Sequence, residues 1–126
     1  MQYTDSRSRS VVLVVEDDHL VRMHAAAVIE DAGYDVIEAS NADEAISVLE
    51  ARKDIRIVFT DIEMPGSMDG LKLAHAVRHR WPPIQLILTS GRHSLEAHQI
   101  PRRSRFLSKP YEASVLIATM QDFSRQ

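Results

Sequence analysis

Three short runs of mostly apolar, often β-branched residues constrain the fold more than any other feature of this chain. They are VVLVV at Val11–Val15, IRIVFT at Ile55–Thr60 and IQLILT at Ile84–Thr89. Runs of this kind are typical of strands buried on both faces, as in a parallel sheet with helices on either side. Two weaker strand candidates, Asp35–Glu38 and Arg105–Leu107, bring the expected number of strands to five.

Helical patterns lie between and after these strands. Apolar spacing and end signals predict five helical segments: His19–Ala32, Ala42–Ala51, Asp69–Arg80, a short Leu95–Gln99 and Tyr111–Phe123. Strands that alternate with helices predict an α/β fold, with a parallel sheet between two helical layers. Five strands in 126 residues suit the flavodoxin-like order 2-1-3-4-5, flanked by about five helices.

Spacing within the helical segments also predicts which residues face the core and where the helices end. The expected inward stripes are Val21, Ala25, Val28 and Ala32 in the first helix, Leu71, Ala74 and Val77 in the third, and Val115, Leu116 and Met120 in the last. Gly33 follows the first stripe as a C-terminal stop. Asn41 is the expected N-cap of the second helix, with Glu44 placed for a capping box.

Length and composition favour one folded domain in the cytoplasm. The chain suits a single domain, with residues 1–9 as a flexible tail and residues 10–126 as the folded part. The net charge of −3 predicts no general attraction to nucleic acid or to an anionic membrane, and the basic run Arg102–Arg105 contains no aromatic residue. The sequence has no cysteine, no secretory signal and no apolar stretch long enough to span a bilayer.

Polar residues follow four of the five expected strands, at the edge of the sheet where such folds bind ligands. The first strand leads into Glu16 and Asp17, the third into Asp61, the fourth ends in Thr89, and Lys109 comes shortly after the fifth. Carboxylates packed together repel one another unless a hard divalent cation such as Mg²⁺ joins them. A hydroxyl and an ammonium beside that cation would make a cage for a phosphoryl group carried on Asp61.

Each of these residues also has an ordinary structural explanation when it is taken alone. An acid after a strand often caps the next helix, which suits Asp18, and a Lys-Pro pair often marks a turn. A Mg²⁺-dependent phosphotransferase or a nuclease-type acidic site could use Glu16, Asp61 and Glu63, but it leaves the hydroxyl and the ammonium unexplained. The coincidence of different groups at four strand ends favours the phosphoacceptor hypothesis.

Four motifs carry a resemblance to a known family. They are VVLVVEDD, FTDIEMPG followed by MDG, ILTSG, and RFLSKP. With them, the chain resembles a receiver (CheY-like) domain of two-component response regulators over about residues 10–123. The resemblance implies that Asp61 accepts a phosphoryl group from a histidine kinase or a His phosphotransfer protein. It also implies a signalling switch rather than an enzyme, apart from assistance to its own phosphorylation and dephosphorylation.

The resemblance assigns a metal site to the acids. Asp17 and Asp61 are the implied carboxylate ligands of Mg²⁺, and Glu16 acts mostly through water. The backbone carbonyl of Glu63 is the third implied protein ligand. Magnesium is therefore the expected cofactor, bound next to the residue that accepts the phosphoryl group.

The switch residues of the family also have counterparts here. Thr89 is the implied hydroxyl that moves to the phosphoryl group, and Lys109 is the lysine that pairs with it, before an implied cis bond to Pro110. Phe106 stands where the family has an aromatic residue that turns inward once Thr89 moves. The face that changes includes Leu95–Gln99, the last strand and the last helix. We expect a homodimer through this face to be weak, and the sequence does not specify the downstream protein partner.

Two departures from the family pattern bear on the site. The loop Gly66–Met68 after Pro65 is one residue longer than usual, which we expect to alter docking of the kinase. Glu63 places a carboxylate near the acceptor while Gly91 offers no side chain, and we expect this pair to set the lifetime of the phosphorylated form. Met1 and the short tail favour a single-domain regulator over a piece of a hybrid kinase.

Overall fold

The computed structural model describes residues 10–92 and 99–123. These residues form five strands and four helices: β1 (Val11–Val15), α1 (His19–Asp31), β2 (Asp35–Ala39), α2 (Ala42–Ala51), β3 (Ile55–Asp61), α3 (Gly70–Arg80), β4 (Gln85–Ser90), β5 (Ser104–Ser108) and α4 (Ala113–Phe123). The strands make one parallel sheet in the order β2-β1-β3-β4-β5, which confirms the predicted flavodoxin-like fold. The described helices number four rather than about five, since the helix expected at Leu95–Gln99 lies outside the described residues except for Gln99.

Both faces of the sheet are covered, as the apolar runs predicted. In β1, Leu13 and Val15 point into a core layer shared with α2 and α3, whereas Val12 and Val14 point into a layer shared with α1 and α4. All residues of β1 are buried, which explains why this strand shows no polar alternation. Burial on both sides fixes the end of β1, from which the first acids of the site emerge.

Capping residues predicted from the sequence hold the helix ends. Asp18 caps α1 by accepting a backbone hydrogen bond from its first turn at 3.1 Å, and Asn41 caps α2 by accepting from Glu44 N at 2.8 Å. The Glu44 carboxylate accepts in return from Ser40 N at 2.6 Å, one residue earlier than in a standard capping box. Gly33 follows α1 with φ of 102°, a left-handed conformation that favours glycine.

The predicted inward stripes of the helices are only partly right. Val21 and Val115 are 40% and 45% exposed, so these two predictions are wrong. Five other predicted residues are buried as expected: Ala25 in α1, Ala74 and Val77 in α3, and Leu116 and Met120 in α4. Residues that were not predicted but are also buried are Ala26, Ile29, Leu73 and Phe123. A helical repeat defines the direction of a stripe only to within about one position, so residues at its margin turn into surface grooves instead of the core.

The register of the strands brings the polar residues to one edge of the sheet. Asp61 is the last residue of β3 and lies opposite Thr89 in β4. Backbone pairing continues past the strand ends, since Ile62 N donates to Thr89 O at 2.9 Å and Lys109 N donates to Ser90 O at 2.9 Å. The carboxyl edge of the sheet therefore holds the acceptor candidate and its neighbours on a continuous hydrogen-bonded frame.

Candidate functional site

Three carboxylates meet at the carboxyl edge of the sheet. One oxygen from each of Glu16, Asp17 and Asp61 lies within 4.8 Å of the others. Glu16 and Asp61 are buried, with 6% and 5% of their surface exposed, whereas Asp17 is open to solvent. The fold thus brings together the three acids that were expected to converge, and a cluster of this kind favours a bound cation.

Lys109 brings one positive charge to the two buried carboxylates. Its Nζ lies 3.2 Å from Asp61 Oδ1 and 3.4 Å from Glu16 Oε1. The bond between Lys109 and Pro110 is cis, as the resemblance implied. Three ionised carboxylates against one ammonium leave an excess of two negative charges, so Lys109 alone does not neutralise the cluster.

The donor set of the cluster fits a small hard cation. Asp61 Oδ1 is buried, and although the Lys109 ammonium is at ion-pair distance, no described residue gives this oxygen a well-aligned hydrogen bond. Glu16 is better satisfied, because its Oε2 accepts from Asp18 N at 3.0 Å. A buried acceptor without an aligned donor is costly, and a divalent cation with oxygen ligands would relieve that cost. The residues present therefore suit Mg²⁺, which takes a few carboxylates together with waters.

Burial perturbs the ionisation of the site. Burial raises the pKa of the Asp61 carboxyl, and the negative charges of Glu63 and Asp17 raise it further. The positive charge of Lys109 lowers this pKa, but not enough to cancel the rise. The pKa of Glu16 is also raised, first by burial, although a backbone hydrogen bond and Lys109 lower it in part. Burial alone would lower the pKa of Lys109, but the carboxylates of Glu16 and Asp61 outweigh burial and the pKa is raised. Ionised Glu16 and Asp61 therefore lower the stability of the folded protein, because burial disfavours their charged forms.

This cost predicts that the Asp61 carboxylate destabilises the metal-free protein at neutral pH. We expect Asp61→Asn to raise the free energy of unfolding by about 1 kcal/mol and Tm by about 4 °C. The pKa of Asp61 is raised in the folded protein, so the extra stability of Asp61→Asn should shrink as the pH falls through that pKa. It should vanish below the pKa that Asp61 has in the unfolded chain, where the protonated aspartic acid and the asparagine are both neutral. Circular dichroism melts in EDTA measure the effect. An equal or lower Tm for Asp61→Asn at neutral pH would contradict it.

The two residues expected to act as a switch are neighbours across β4 and β5. Thr89 is 1% exposed and lies opposite Asp61. Phe106 is half-buried, lies opposite Leu88, and packs against the core layer shared with α2 and α3. The next pair in the same register is Thr89 with Leu107, so Thr89 and Phe106 are one step apart across the two strands. The register places the two residues in adjacent strands, and a coupled movement of their side chains stays a prediction.

The Glu63 side chain turns toward the end of β4. Its carboxylate accepts a hydrogen bond from the Ser90 hydroxyl, which in turn accepts one from Arg92 N at 3.0 Å. Glu63 therefore lies beside the acceptor candidate, and its charge contributes to the raised pKa of Asp61. The sequence placed Glu63 near the site, but it did not indicate Ser90 as its partner.

Gly70 is a site position whose reason was not recognised in the sequence. A Cβ there would lie 1.8 Å from Asp61 O, so the first turn of α3 packs directly on the backbone of Asp61. The same close approach lets Gly70 N donate to Ile62 O at 2.9 Å. A signal was present, since glycine is a poor helix former and here it directly follows the N-cap Asp69. Close backbone packing explains its presence.

The longer loop after Pro65 is anchored on α2. Ser67 Oγ donates to Asp43 Oδ1 at 2.7 Å, and Met68 packs against the core layer shared with α2 and α3. Gly66 has φ of 114°, a left-handed conformation that favours glycine. Ser67 and Met68, the last two residues of the loop, are thus held in place by contacts with the rest of the domain. The effect of the loop on docking of a kinase stays a prediction.

Comparison with known proteins decides the family. The profile of the response regulator receiver domain matches residues 12–121. The chain belongs to this family. It is 33% identical over 123 residues to the sensor kinase CckA of Brucella abortus, covering 94% of this chain and 13% of that protein. It is 31% identical over 110 residues to the nitrogen assimilation regulatory protein NtrX of Azorhizobium caulinodans, covering 84% of this chain and 24% of that protein.

Solved structures of receiver domains share the fold. A response regulator receiver protein from Sinorhizobium medicae superposes with a TM-score of 0.85 at 26% identity, covering 92% of this chain and 94% of that one. The receiver domain of the hybrid histidine kinase CckA superposes with a TM-score of 0.76 at 28% identity, covering 90% and 97%. The chain spans only 13% and 24% of the two curated relatives, so the similarity concerns the receiver portion of longer proteins.

Membership of the receiver family confirms the resemblance to receiver domains of two-component response regulators. The chain is homologous to the phosphoacceptor domains of response regulators and sensor kinases, and its acidic cluster is consistent with a phosphorylation site. This favours a signalling domain over the alternative of a Mg²⁺-dependent phosphotransferase or nuclease. Among the described residues, no helix is long and apolar enough to cross a bilayer.

Proposed function

We propose that Asp61 is the phosphoacceptor of this receiver domain and takes a phosphoryl group from a phosphohistidine with the help of Mg²⁺. The observation that carries the proposal is the buried Asp61 carboxylate, which lies 3.2 Å from Lys109 Nζ yet has an oxygen without an aligned hydrogen bond among the described residues. A carboxylate with only a structural role is normally solvated or fully paired. An oxygen left in this condition suits a nucleophile.

The proposed metal ligands are the residues of the acidic cluster. Asp17 and Asp61 would bind Mg²⁺ directly, with the backbone carbonyl of Glu63, while Glu16 would bind through water. When bound, the metal supplies charge neutralisation at the phosphoryl oxygens. The excess of two negative charges over Lys109 supports a divalent rather than a monovalent ion.

In the proposed transfer, an Asp61 oxygen attacks phosphorus as the bond from phosphorus to the histidine nitrogen breaks. The bonding electron pair leaves with that nitrogen, and the donor departs as neutral imidazole because its other ring nitrogen carries a proton. Lys109 pairs with a phosphoryl oxygen, which requires its Nζ to shift only from the Asp61 carboxylate to the group bound to it. The product is an aspartyl phosphate.

The proposed output is a change in a protein-binding face. Thr89 would move its hydroxyl to the phosphoryl group, and Phe106 would turn into the space vacated. Because Phe106 is half-buried in the present state, completing its burial would contribute about 1 kcal/mol to the switched state. The downstream partner is a protein that the sequence and fold do not specify.

The proposed donor is a histidine kinase or a His phosphotransfer protein, acting in the cytoplasm. The donor has to cover Lys109 to deliver its phosphoryl group, and Lys109 lines a groove of about 450 Å³ together with Val21 on α1. On the same helix, Leu20 and Met23 are 74% and 48% exposed. An apolar rim next to the reactive residue suits contact with a protein donor.

Uptake of phosphoryl from acetyl phosphate tests the proposal without a partner protein. With Mg²⁺ present, intact-mass spectrometry should show one added phosphoryl group that is stable in acid and labile in base. Asp61→Asn should abolish it and EDTA should prevent it. Asp18→Asn is the matched control, because asparagine preserves the N-cap of α1, and it should leave uptake intact. Hydrolysis of phosphate esters or DNA without an adduct would instead support the phosphotransferase or nuclease alternative.

A further inference from the structure

Arg22 on α1 makes several contacts next to the acidic cluster, one of them to the backbone of Glu16. Its Nη1 donates to Glu16 O at 2.8 Å, and its Nε donates to Glu38 Oε1 at 3.0 Å. Its Nη2 lies 3.0 Å from His19 Nδ1. The Arg22 side chain is only 14% exposed, whereas Glu38 is 41% exposed. A nearly buried guanidinium on α1 thus joins the end of β1 to the end of β2.

These contacts fix the peptide from which the acids of the site emerge. Glu16 N donates to Ala39 O at 3.1 Å, so β2 holds the amide side of Glu16 while Arg22 holds its carbonyl side. The Glu16 carbonyl belongs to the peptide that leads into Asp17. Its direction therefore sets where the exposed Asp17 carboxylate points relative to Asp61.

We infer that Arg22, held by Glu38, is a positioning residue for the metal site and orients the Glu16–Asp17 peptide so that the Asp17 carboxylate meets Asp61. The inference rests on the proposed function, because it concerns affinity for Mg²⁺. Arginine suits the task because its planar fork donates in several fixed directions at once, so it spans a carbonyl and a carboxylate that a single ammonium cannot hold in the same geometry. Arg22 would act through this peptide and not as a metal ligand, since its side chain contacts Glu16 O, Glu38 and His19.

Charge has to be kept constant in the test. Removing Arg22 alone would leave Glu38 unpaired and add negative charge near the site, which attracts Mg²⁺ and masks a loss of orientation. The pair Arg22→Gln with Glu38→Gln removes the contact and leaves the net charge unchanged. The matched control is Arg52→Gln with Asp54→Gln, which removes an exposed ion pair of 2.6 Å before β3, away from the carboxyl edge of the sheet.

Calorimetric titration with Mg²⁺ alone gives the first readout. We expect the Arg22/Glu38 pair variant to bind Mg²⁺ about tenfold more weakly than the wild type, and the Arg52/Asp54 control to bind as the wild type does. Acetyl phosphate gives the second readout: the Mg²⁺ concentration for half-maximal uptake should rise about tenfold, while uptake at saturating Mg²⁺ stays the same. A general loss of folding would lower the plateau instead.

Unchanged Mg²⁺ affinity in the Arg22/Glu38 pair variant would overturn the inference while leaving the proposed function intact. A wild type that neither binds Mg²⁺ nor takes up phosphoryl would show that the proposed function itself is wrong. If the pair variant does not fold, Arg22→Lys replaces it, since lysine keeps the charge and loses the fork. Weaker Mg²⁺ binding by Arg22→Lys supports the inference, and wild-type affinity overturns it.

Discussion

Gly70→Ala is expected to lower the free energy of unfolding by about 3 kcal/mol and to reduce phosphoryl uptake severely. The new Cβ would lie 1.8 Å from Asp61 O, 2.7 Å from Asp61 C and 2.8 Å from Ile62 Cα. All three atoms belong to the backbone, so no rotation of a side chain can relieve the overlap. Either α3 withdraws from the sheet or the strand end that carries Asp61 is displaced. In both cases the acceptor loses its position relative to Lys109.

Urea denaturation and acetyl phosphate uptake, measured on the same preparations, test this prediction. Gly91→Ala is the matched control, because Gly91 lies just beyond β4 and the nearest atom to its Cβ would be Lys109 Cβ at 3.8 Å, an ordinary contact. We expect Gly91→Ala to change stability by less than about 0.5 kcal/mol. Equal stability of Gly70→Ala and wild type would show that α3 does not pack on Asp61 as described.

Arg78→Ala is expected to lower the free energy of unfolding by about 2–3 kcal/mol. The Arg78 guanidinium donates to four backbone carbonyls, those of Pro82 at 2.6 Å, Ile84 at 2.8 Å, Arg102 at 2.6 Å and Arg103 at 3.2 Å. It therefore ties the end of α3 to the chain that enters β4 and to the chain that enters β5. Truncation would leave these carbonyls without their charged donor, and such hydrogen bonds are stronger than neutral ones.

The control for Arg78 is Arg80→Ala on the same helix. Arg80 pairs with Glu50 at 2.8 Å and stacks 4.4 Å from the ring centre of Trp81, but its side chain is 44% exposed. Exposed pairs of this kind contribute little, so we expect a loss of less than about 1 kcal/mol. Thermal melts should separate the two variants by about 5 °C or more. Equal losses of stability in Arg78→Ala and Arg80→Ala would mean that water replaces the Arg78 hydrogen bonds at the four carbonyls without a cost in stability.

The sheet and the acidic cluster were predictable because both follow from local patterns. Runs such as VVLVV have few alternatives to a strand buried on both faces, and parallel strands deliver their last residues to one edge. Glu16, Asp61 and Lys109 therefore came together from their positions alone. The roles of these residues in accepting phosphoryl stay a proposal, as does the division of the chain into a tail and a folded domain.

The contacts that hold this framework were not predictable from local patterns. Arg22 and Arg78 resemble ordinary solvated charges in the sequence, and their partners are carbonyls, which every residue possesses. The basic run Arg102–Arg105 likewise gives no sign of its partners in the sequence. In the fold, Arg105 pairs with Asp122 at 2.6 Å. Tertiary proximity decides such pairs, and a single sequence does not encode it locally.

The position of the phosphoryl group after reaction with acetyl phosphate shows whether Asp61 is the acceptor. After reaction with acetyl phosphate and Mg²⁺, borohydride reduces an aspartyl phosphate to homoserine, and sequencing of the resulting peptides by mass spectrometry locates the change. We expect homoserine at position 61 alone, and none when EDTA is present. A reduced residue at Glu16, Asp17 or Glu63, with position 61 unchanged, would contradict it.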